Sequence, residues 1–292
     1  MKVNKRSMEP LEGLQSLIEH LEDAQKVLQT RAYAHPALNR ASRTLRRAAE
    51  FVARPFRLAV LGESNSGKST IANLIGGQMT LPALPVANTR LPTLLRYASA
   101  PSVTAIYKGG VSLAVAPGDE LSLQNIMRLD VGLPNDTFRS IEVLDFPGSA
   151  NPLFPADVSA VLQHRIDAAI WATVATQAWR ETERQAWSKL PQRIRRRGIL
   201  AVTHADLIRS ETDAAKLKAR LQTVQQAHFH ALCFVAGGAG GELAGNGSHP
   251  HPAAELFSEV ERLSTEFHAG RAAKTVVLAR RVATQALADI ER

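Results

Sequence analysis

Cysteine is nearly absent: Cys233 is the only one in 292 residues. That excludes a disulfide framework and a cysteine-based zinc site, and it is compatible with a reducing cytoplasm. Cys233 stands in an apolar run, so it reads as a buried inert thiol rather than a nucleophile. Aromatic residues are scarce, at 5%. None interleaves with the two basic clusters, Arg193, Arg195, Arg196 and Arg197, and Arg43, Arg46 and Arg47. The stacking platform of a single-strand nucleic-acid binder is therefore missing, and a nucleic-acid partner is not expected. No apolar run approaches the roughly 20 residues that a spanning helix needs. Membrane contact would have to come from the side or through a partner. Met1 and Lys2 begin a polar stretch with no apolar segment after it, so no secretory signal is expected and a cytoplasmic location is. Acidic residues are the minority, 27 against 35 Lys and Arg, which leaves a net charge of +8. Such a balance favours anions, whether nucleotide, acidic lipid headgroup or nucleic acid, and a merely solvating basic surface is the alternative.

What is present suffices for a sizeable core, since 45% of residues are hydrophobic, and global disorder is not expected. Leu11, Leu14, Ile18, Leu21 and Leu28 recur at steps of three and four, with Gln25 interrupting, and predict an amphipathic helix. Pro36 ends it. Leu38, Ala41, Leu45, Ala48 and Val52 predict a second. From Phe56 the pattern alternates strand and helix, the mark of an α/β sheet. Strands are expected at 56–61, 93–98, 103–107, 111–115, 139–144, 168–175, 198–202 and 232–236. Helices are expected at 69–75, 119–128, 158–164, 179–190 and 211–227. Three loops stand out, at 76–91, 149–155 and 237–252, the first long enough to imply a function. Two closing helices are expected, at 253–268 and 271–290, with Val276, Val277, Ala283, Leu287 and Ile290 near one face. The predicted organisation is helices at 1–54, an α/β domain at 55–245 and helices at 252–292 that join the first pair.

Gly62-Glu-Ser-Asn-Ser-Gly-Lys-Ser69 fits the phosphate-loop pattern at every fixed position. The glycines allow a tight turn that aims backbone N–H groups at one anion. Lys68 would reach the β- and γ-phosphates, and the Ser69 hydroxyl would ligate Mg²⁺. A strand enters the loop and a helix leaves it, so the helix N-terminus adds its dipole. A chance glycine-rich turn is the alternative. Asp145-Phe-Pro-Gly148 follows a buried strand, where the Asp can hold Mg²⁺ through water and the Gly N–H can meet a γ-phosphate. Thr203-His-Ala-Asp206 follows another. A carboxylate there accepts two hydrogen bonds from guanine, a donor pair that adenine lacks. Thr89, in the long loop, is placed to close over Mg²⁺ when the last phosphate is present.

In this order, GESNSGKST, Thr89-Arg-Leu-Pro92, DFPG and THAD resemble the signatures of dynamin-like GTPases, particularly bacterial members. The likeness covers roughly residues 56–236 and includes Ala175-Thr-Gln-Ala-Trp179 with Glu183 and Trp187. It implies a P-loop GTPase fold with a mostly parallel sheet. It also implies Mg²⁺-dependent hydrolysis of GTP to GDP, stimulated when two such domains face each other. The flanking helices would form a bundle that carries the nucleotide state. The implied catalytic residues are Ser64, Asn65, Lys68 and Thr89. Nucleotide contacts fall on Gly62, Glu63, Ser64, Asn65, Ser66, Gly67, Lys68, Ser69, Thr70, Asp145, Gly148, Thr203, His204, Asp206 and Ala236. The implied metal ligands are Ser69, Thr89 and Asp145. The partners to expect are GTP, a second copy through the GTPase domain or another dynamin-like chain, and peripheral contact with an inner membrane.

The departures from the family are specific. His204 stands where a lysine is usual, and Ser149 where Ras-like GTPases carry a water-orienting glutamine. Slow intrinsic hydrolysis is therefore expected. Arg90 would supply transition-state charge or serve as an ordinary surface arginine. A long stalk and lipid-binding tip are not expected from this length. A low-turnover GTP-binding module that partners a longer dynamin-like protein is one alternative, and an RNA- or ribosome-linked GTPase is another. His228 with His230, and His249 with His251, lack the further ligands that a metal site needs.

Overall fold

Alternation of apolar strands with helices places one sheet at the centre. The computed structural model describes residues 36–76, 91–116, 125–148, 165–208, 210–235 and 254–290, with Ser16, Glu19 and Asp23. The nine strands are β1 Phe56–Gly62, β2 Thr93–Tyr97, β3 Ser102–Tyr107, β4 Ser112–Ala114, β5 Ile126–Leu133, β6 Ile141–Asp145, β7 Ala168–Val174, β8 Gly198–Thr203 and β9 Ala231–Phe234. They lie in the order β4-β3-β5-β2-β6-β1-β7-β8-β9. The run from β6 through β1, β7 and β8 to β9 is parallel. β2 is antiparallel to β6 and parallel to β5, and the β3–β4 hairpin is antiparallel.

The parallel strands at the centre of the sheet are mostly apolar, as strands covered on both faces are. β1 reads Phe-Arg-Leu-Ala-Val-Leu-Gly, and every position but Arg57 is buried. Arg57 lies near the strand's start, and its guanidinium donates to Glu142 of neighbouring β6 at 2.6 Å. The helices are α1 Pro36–Ala53, α2 Lys68–Ile75, α3 Thr137–Ser140, α4 Glu181–Ser188, α5 Gln192–Arg195, α6 Glu211–His228 and α7 Ala254–Ile290.

Three expectations of element type fail on described residues. Arg139 and Ser140 were expected to open a strand but end helix α3. Residues 126–128 were expected to end a helix but begin strand β5. Arg128 and Asp130 stand two apart in the sequence. On the strand they share a face and pair at 2.6 Å, and Arg96 on β2 approaches Asp130 at 3.7 Å. The two closing helices are one, 37 residues long. Gly270 lies within it, and nothing stands within 4 Å of where a Cβ would be. One interior glycine costs about 1 kcal/mol and does not by itself end a helix. The expectations at 77–90, 119–124, 149–164 and 236–253, including Thr89, Arg90, Ser149 and Ala236, lie outside the described residues, as does most of the first predicted helix.

The chain divides into two units, residues 1–54 with 262–292, and residues 55–261. In the first, α1 buries Leu38, Ala41, Leu45, Ala48 and Val52, the stripe read from the sequence. The α7 stripe is Ala272, Thr275, Ala279 and Ala286, while Val277 is exposed. Small side chains, rather than the valines, take the packed face because Leu45 and Ala279 meet there. Arg271 is 5% exposed, lies over the rings of Phe51 and Phe267, and donates to the carbonyls of Phe51 and Arg54. In the second unit the core holds Trp171 and Trp187 edge-to-face at 6.0 Å, with Phe229 stacked on Trp187.

Candidate functional site

β1 ends at Gly62, whose φ is 147°. A Cβ there would stand 2.3 Å from the Ala172 carbonyl oxygen on β7, so only glycine lets the chain leave the sheet at this point. The loop then turns through Asn65 in the left-handed region and Gly67 at φ 82°. Asn tolerates that region better than most side chains. Helix α2 starts at Lys68, so the backbone N–H groups of its first turn have no partners within the helix and face the loop.

Inside the loop, the Lys68 amine donates to the Glu63 carbonyl at 2.6 Å. Burial pulls its pKa below the ordinary lysine value, opposed by the nearby Asp145 carboxylate. The Ser69 hydroxyl donates to Asp145 Oδ2 at 2.7 Å. Asp145 is fully buried at the end of β6, and its Oδ1 has no hydrogen-bond partner. Burial raises its pKa from 3.8 to about 6, against the pull of the Ser69 hydroxyl and of Lys68. Gly148 lies against the loop: a Cβ on it would stand 2.6 Å from the Ser64 nitrogen. Ser64, Asn65 and Thr70 are exposed at this end of the sheet, and Ser66 is buried.

The Thr203 hydroxyl lies 2.9 Å from the Ser66 carbonyl and 3.2 Å from that of Thr173, tying the end of β8 to the loop. Its methyl group fills the space beside Gly67. His204 takes the left-handed conformation and opens a 3₁₀ turn, Ala205–Leu207. Its Nδ1 lies 3.1 Å from the Thr203 hydroxyl oxygen. With the threonine proton given to a carbonyl, Nδ1 is the donor in that contact. Asp206 is exposed on the same turn. Lys68, Ser69, Asp145, Gly148 and Thr203 thus meet around one loop, with the His204–Asp206 turn following directly.

The set suits Mg²⁺. A hydroxyl and a carboxylate are hard oxygen donors, and the buried Asp145 Oδ1 lacks a partner that a metal-bound water would supply. Among the described residues no cluster of three His, Cys, Asp or Glu side chains offers another metal site. His228 lies 5.7 Å from the Trp179 ring, and His230 lies 3.1 Å from Glu259. Burial, with Glu255 and Glu259 nearby, pushes the Cys233 thiol up to about 12, consistent with an inert group.

Glu63 and Glu183 fall in motifs read from the sequence, but the contacts they make do not. Glu63 is gripped by Arg180 and by the Thr182 hydroxyl, the latter at 2.8 Å. Glu183, 3% exposed, accepts from Trp171 Nε1 at 2.9 Å, the Thr173 hydroxyl at 3.1 Å and the Arg180 backbone N–H at 2.8 Å. Its position, three residues after the residue that precedes α4, is the usual spacing for a carboxylate that caps a helix start, and that signal was available. The basic run is also partly structural: Arg193 donates to the Ile166 carbonyl and Arg195 to that of Leu190.

No protein-family model matches the chain. Over 109 residues it is 29% identical to the isoniazid-induced protein IniC of Mycobacterium tuberculosis, a match that covers 34% of this chain and 22% of IniC. Two solved structures of an oligomerised bacterial dynamin pair align with TM-scores of 0.53 and 0.54 at 19% identity. They cover 82% of this chain but only 38% and 39% of theirs. The fold is that of a P-loop GTPase domain. The chain spans well under half the length of these relatives. The dynamin pair is described as a mechanism for long-range sensing and tethering of membranes. No described helix is long and apolar enough to cross a membrane.

Proposed function

We propose that this protein is a Mg²⁺-dependent, dynamin-like GTPase that hydrolyses GTP to GDP and phosphate and works as a nucleotide-controlled switch or assembly factor. The observation that carries the proposal is the Ser69–Asp145 hydrogen bond of 2.7 Å beside Lys68, at the carboxyl end of the parallel strands. In open α/β sheets ligands bind at that end. Ser69 and Asp145 would hold Mg²⁺, joined by Thr89. When bound, the ion neutralises charge on the β- and γ-phosphate oxygens.

The chain's own residues supply the rest. The backbone N–H groups from Ser64 to Ser69 cradle the phosphates. Lys68 exchanges the Glu63 carbonyl for phosphate oxygens, and its buried ammonium then acts at reduced dielectric. Gly148, set against Ser64, brings its N–H to the same group. Asp206 accepts from guanine, and Thr203 holds the turn that carries it next to the loop. With Ser149 where Ras-like GTPases carry a water-orienting glutamine, hydrolysis is slow in one copy and rises when a second copy, or another dynamin-like chain, faces the site. The likeness to an oligomerised dynamin pair supports that step. The same likeness supports peripheral membrane contact by a cytoplasmic protein.

Phosphate release from GTP and ATP, measured with Mg²⁺ over a range of protein concentrations, tests the reading. GTP should be strongly preferred, the rate per molecule should rise with concentration, and Lys68→Ala should abolish turnover. Equal rates with both nucleotides would overturn the guanine assignment. Tight GTP binding without turnover at any concentration would favour the alternative of a binding module. His204, which replaces the usual lysine beside the base, is the observation that motivates that alternative.

A further inference from the structure

The first side chain of the phosphate loop after Gly62, that of Glu63, reaches to the start of α4. Both of its carboxylate oxygens are taken, Oε2 by the Arg180 guanidinium and Oε1 by the Thr182 hydroxyl. The carbonyl of the same residue holds the Lys68 amine at 2.6 Å. One residue is thus tied at its side chain to α4 and at its backbone to the lysine that would meet the nucleotide.

The other end of this tie is rigid. Trp179 adopts a left-handed φ of 61°, which a non-glycine residue keeps only when its surroundings impose it. Its N–H donates to the Thr173 hydroxyl at 3.1 Å, and that hydroxyl donates to the buried Glu183 carboxylate. The same carboxylate accepts from Trp171 Nε1 and from the Arg180 N–H. The backbone of Arg180 is therefore fixed from β7, and its side chain reaches out from a fixed point. Arg180 remains half-exposed, and the Glu63 side chain is 21% exposed.

We infer that Arg180 and Thr182 are positioning residues for the phosphate loop. By holding the Glu63 carboxylate they fix the loop's first turn, so that the Lys68 amine and the loop N–H groups are preset for a nucleoside diphosphate or triphosphate. Neither residue touches the nucleotide, and both act through Glu63. The inference rests on the GTPase reading for its ligand, while the tie itself is a property of the ligand-free protein. A competing account uses the same atoms: Glu63 merely masks the Arg180 charge. The two accounts predict opposite signs. Freeing Arg180 by Glu63→Gln weakens nucleotide binding if the tie positions the loop, and strengthens it if the carboxylate only masks a cation.

The test uses the full chain and two readouts. The first is amide hydrogen exchange without nucleotide, following peptides that cover 62–69 and, as a control, 198–203. Arg180→Ala and Glu63→Gln should each speed exchange in the loop peptide about tenfold and leave the β8 peptide unchanged, with Arg180→Lys recovering much of the protection. The second is fluorescent GDP titrated with Mg²⁺. Each single variant should weaken binding about fivefold, near the upper end for a partly exposed pair. The double variant should be no worse than either single, as expected for partners in one contact. Unchanged loop exchange, additive losses in the double variant, or tighter binding by Glu63→Gln would each overturn the inference. If the wild-type chain fails to bind the GDP probe, the GTPase reading falls, and the exchange experiment still decides the tie.

Discussion

Asp145 is predicted to make the nucleotide-free protein less stable than it need be, and Asp145→Asn measures by how much. Burial raises the folded-state pKa from 3.8 to about 6. The folded protein then binds a proton at Asp145 more readily than the unfolded chain does. Between pH 4 and pH 6, stability falls as pH rises, and above pH 6 the whole cost is present. From 3.8 to about 6 at ~1.36 kcal/mol per pH unit, that cost is about 3 kcal/mol. Asparagine removes the charge and keeps an acceptor for Ser69. It also places a buried N–H₂ where Oδ1 has no partner, at a cost of about 1–2 kcal/mol. The variant should therefore be more stable by about 1–2 kcal/mol at pH 8, with the gain vanishing or reversing at pH 5.

Urea unfolding in EDTA at pH 5 and pH 8, followed by tryptophan fluorescence, reads this directly. The three tryptophans all lie in the unit spanning residues 55–261, so the signal reports that unit. Parallel stability profiles for the two proteins, or a variant weaker at pH 8, would refute the reasoning. The variant should also lose Mg²⁺-dependent nucleotide binding, so that stability and function move in opposite directions at one residue.

Three further outcomes are expected. Gly62→Ala should lower stability by about 3 kcal/mol or more, seen as a drop in melting temperature, because its Cβ would meet the Ala172 carbonyl at 2.3 Å and the backbone cannot yield cheaply. Glu183→Ala should cost about 3 kcal/mol by leaving three donors unpaired, and it should alter the emission of Trp171, whose indole N–H loses its acceptor; an unchanged spectrum would contradict the network. Cys233 should resist thiol reagents at pH 8 until urea unfolds the chain, since burial holds its pKa near 12; rapid labelling of the native protein would contradict that burial.

Most of the architecture was legible because its signals are local. The α1 stripe and the apolar strands β1, β7 and β8 announced themselves by spacing, and each lies where the pattern put it. Strand β5 did not: Arg128 and Asp130 interrupt its apolar run, and the Asp130 carboxylate finds its partners in Arg128 and in Arg96 of β2. The unbroken α7 was misread for a related reason. Local spacing put Val276 and Val277 near one face, whereas the face that meets α1 carries small residues such as Ala279. At the site, the phosphate loop and the strand-end carboxylates were readable as motifs. The grip on Glu63 was not, since Arg180 and Thr182 stand more than a hundred positions away and only the order of strands β1 and β7 brings them near.

The described sheet ends in β4, whose three residues are all exposed, and in β9, which has four residues. Short margins of this kind give a neighbouring chain little backbone to pair with. A second copy that met either margin would touch mainly side chains instead of zipping into a fibre.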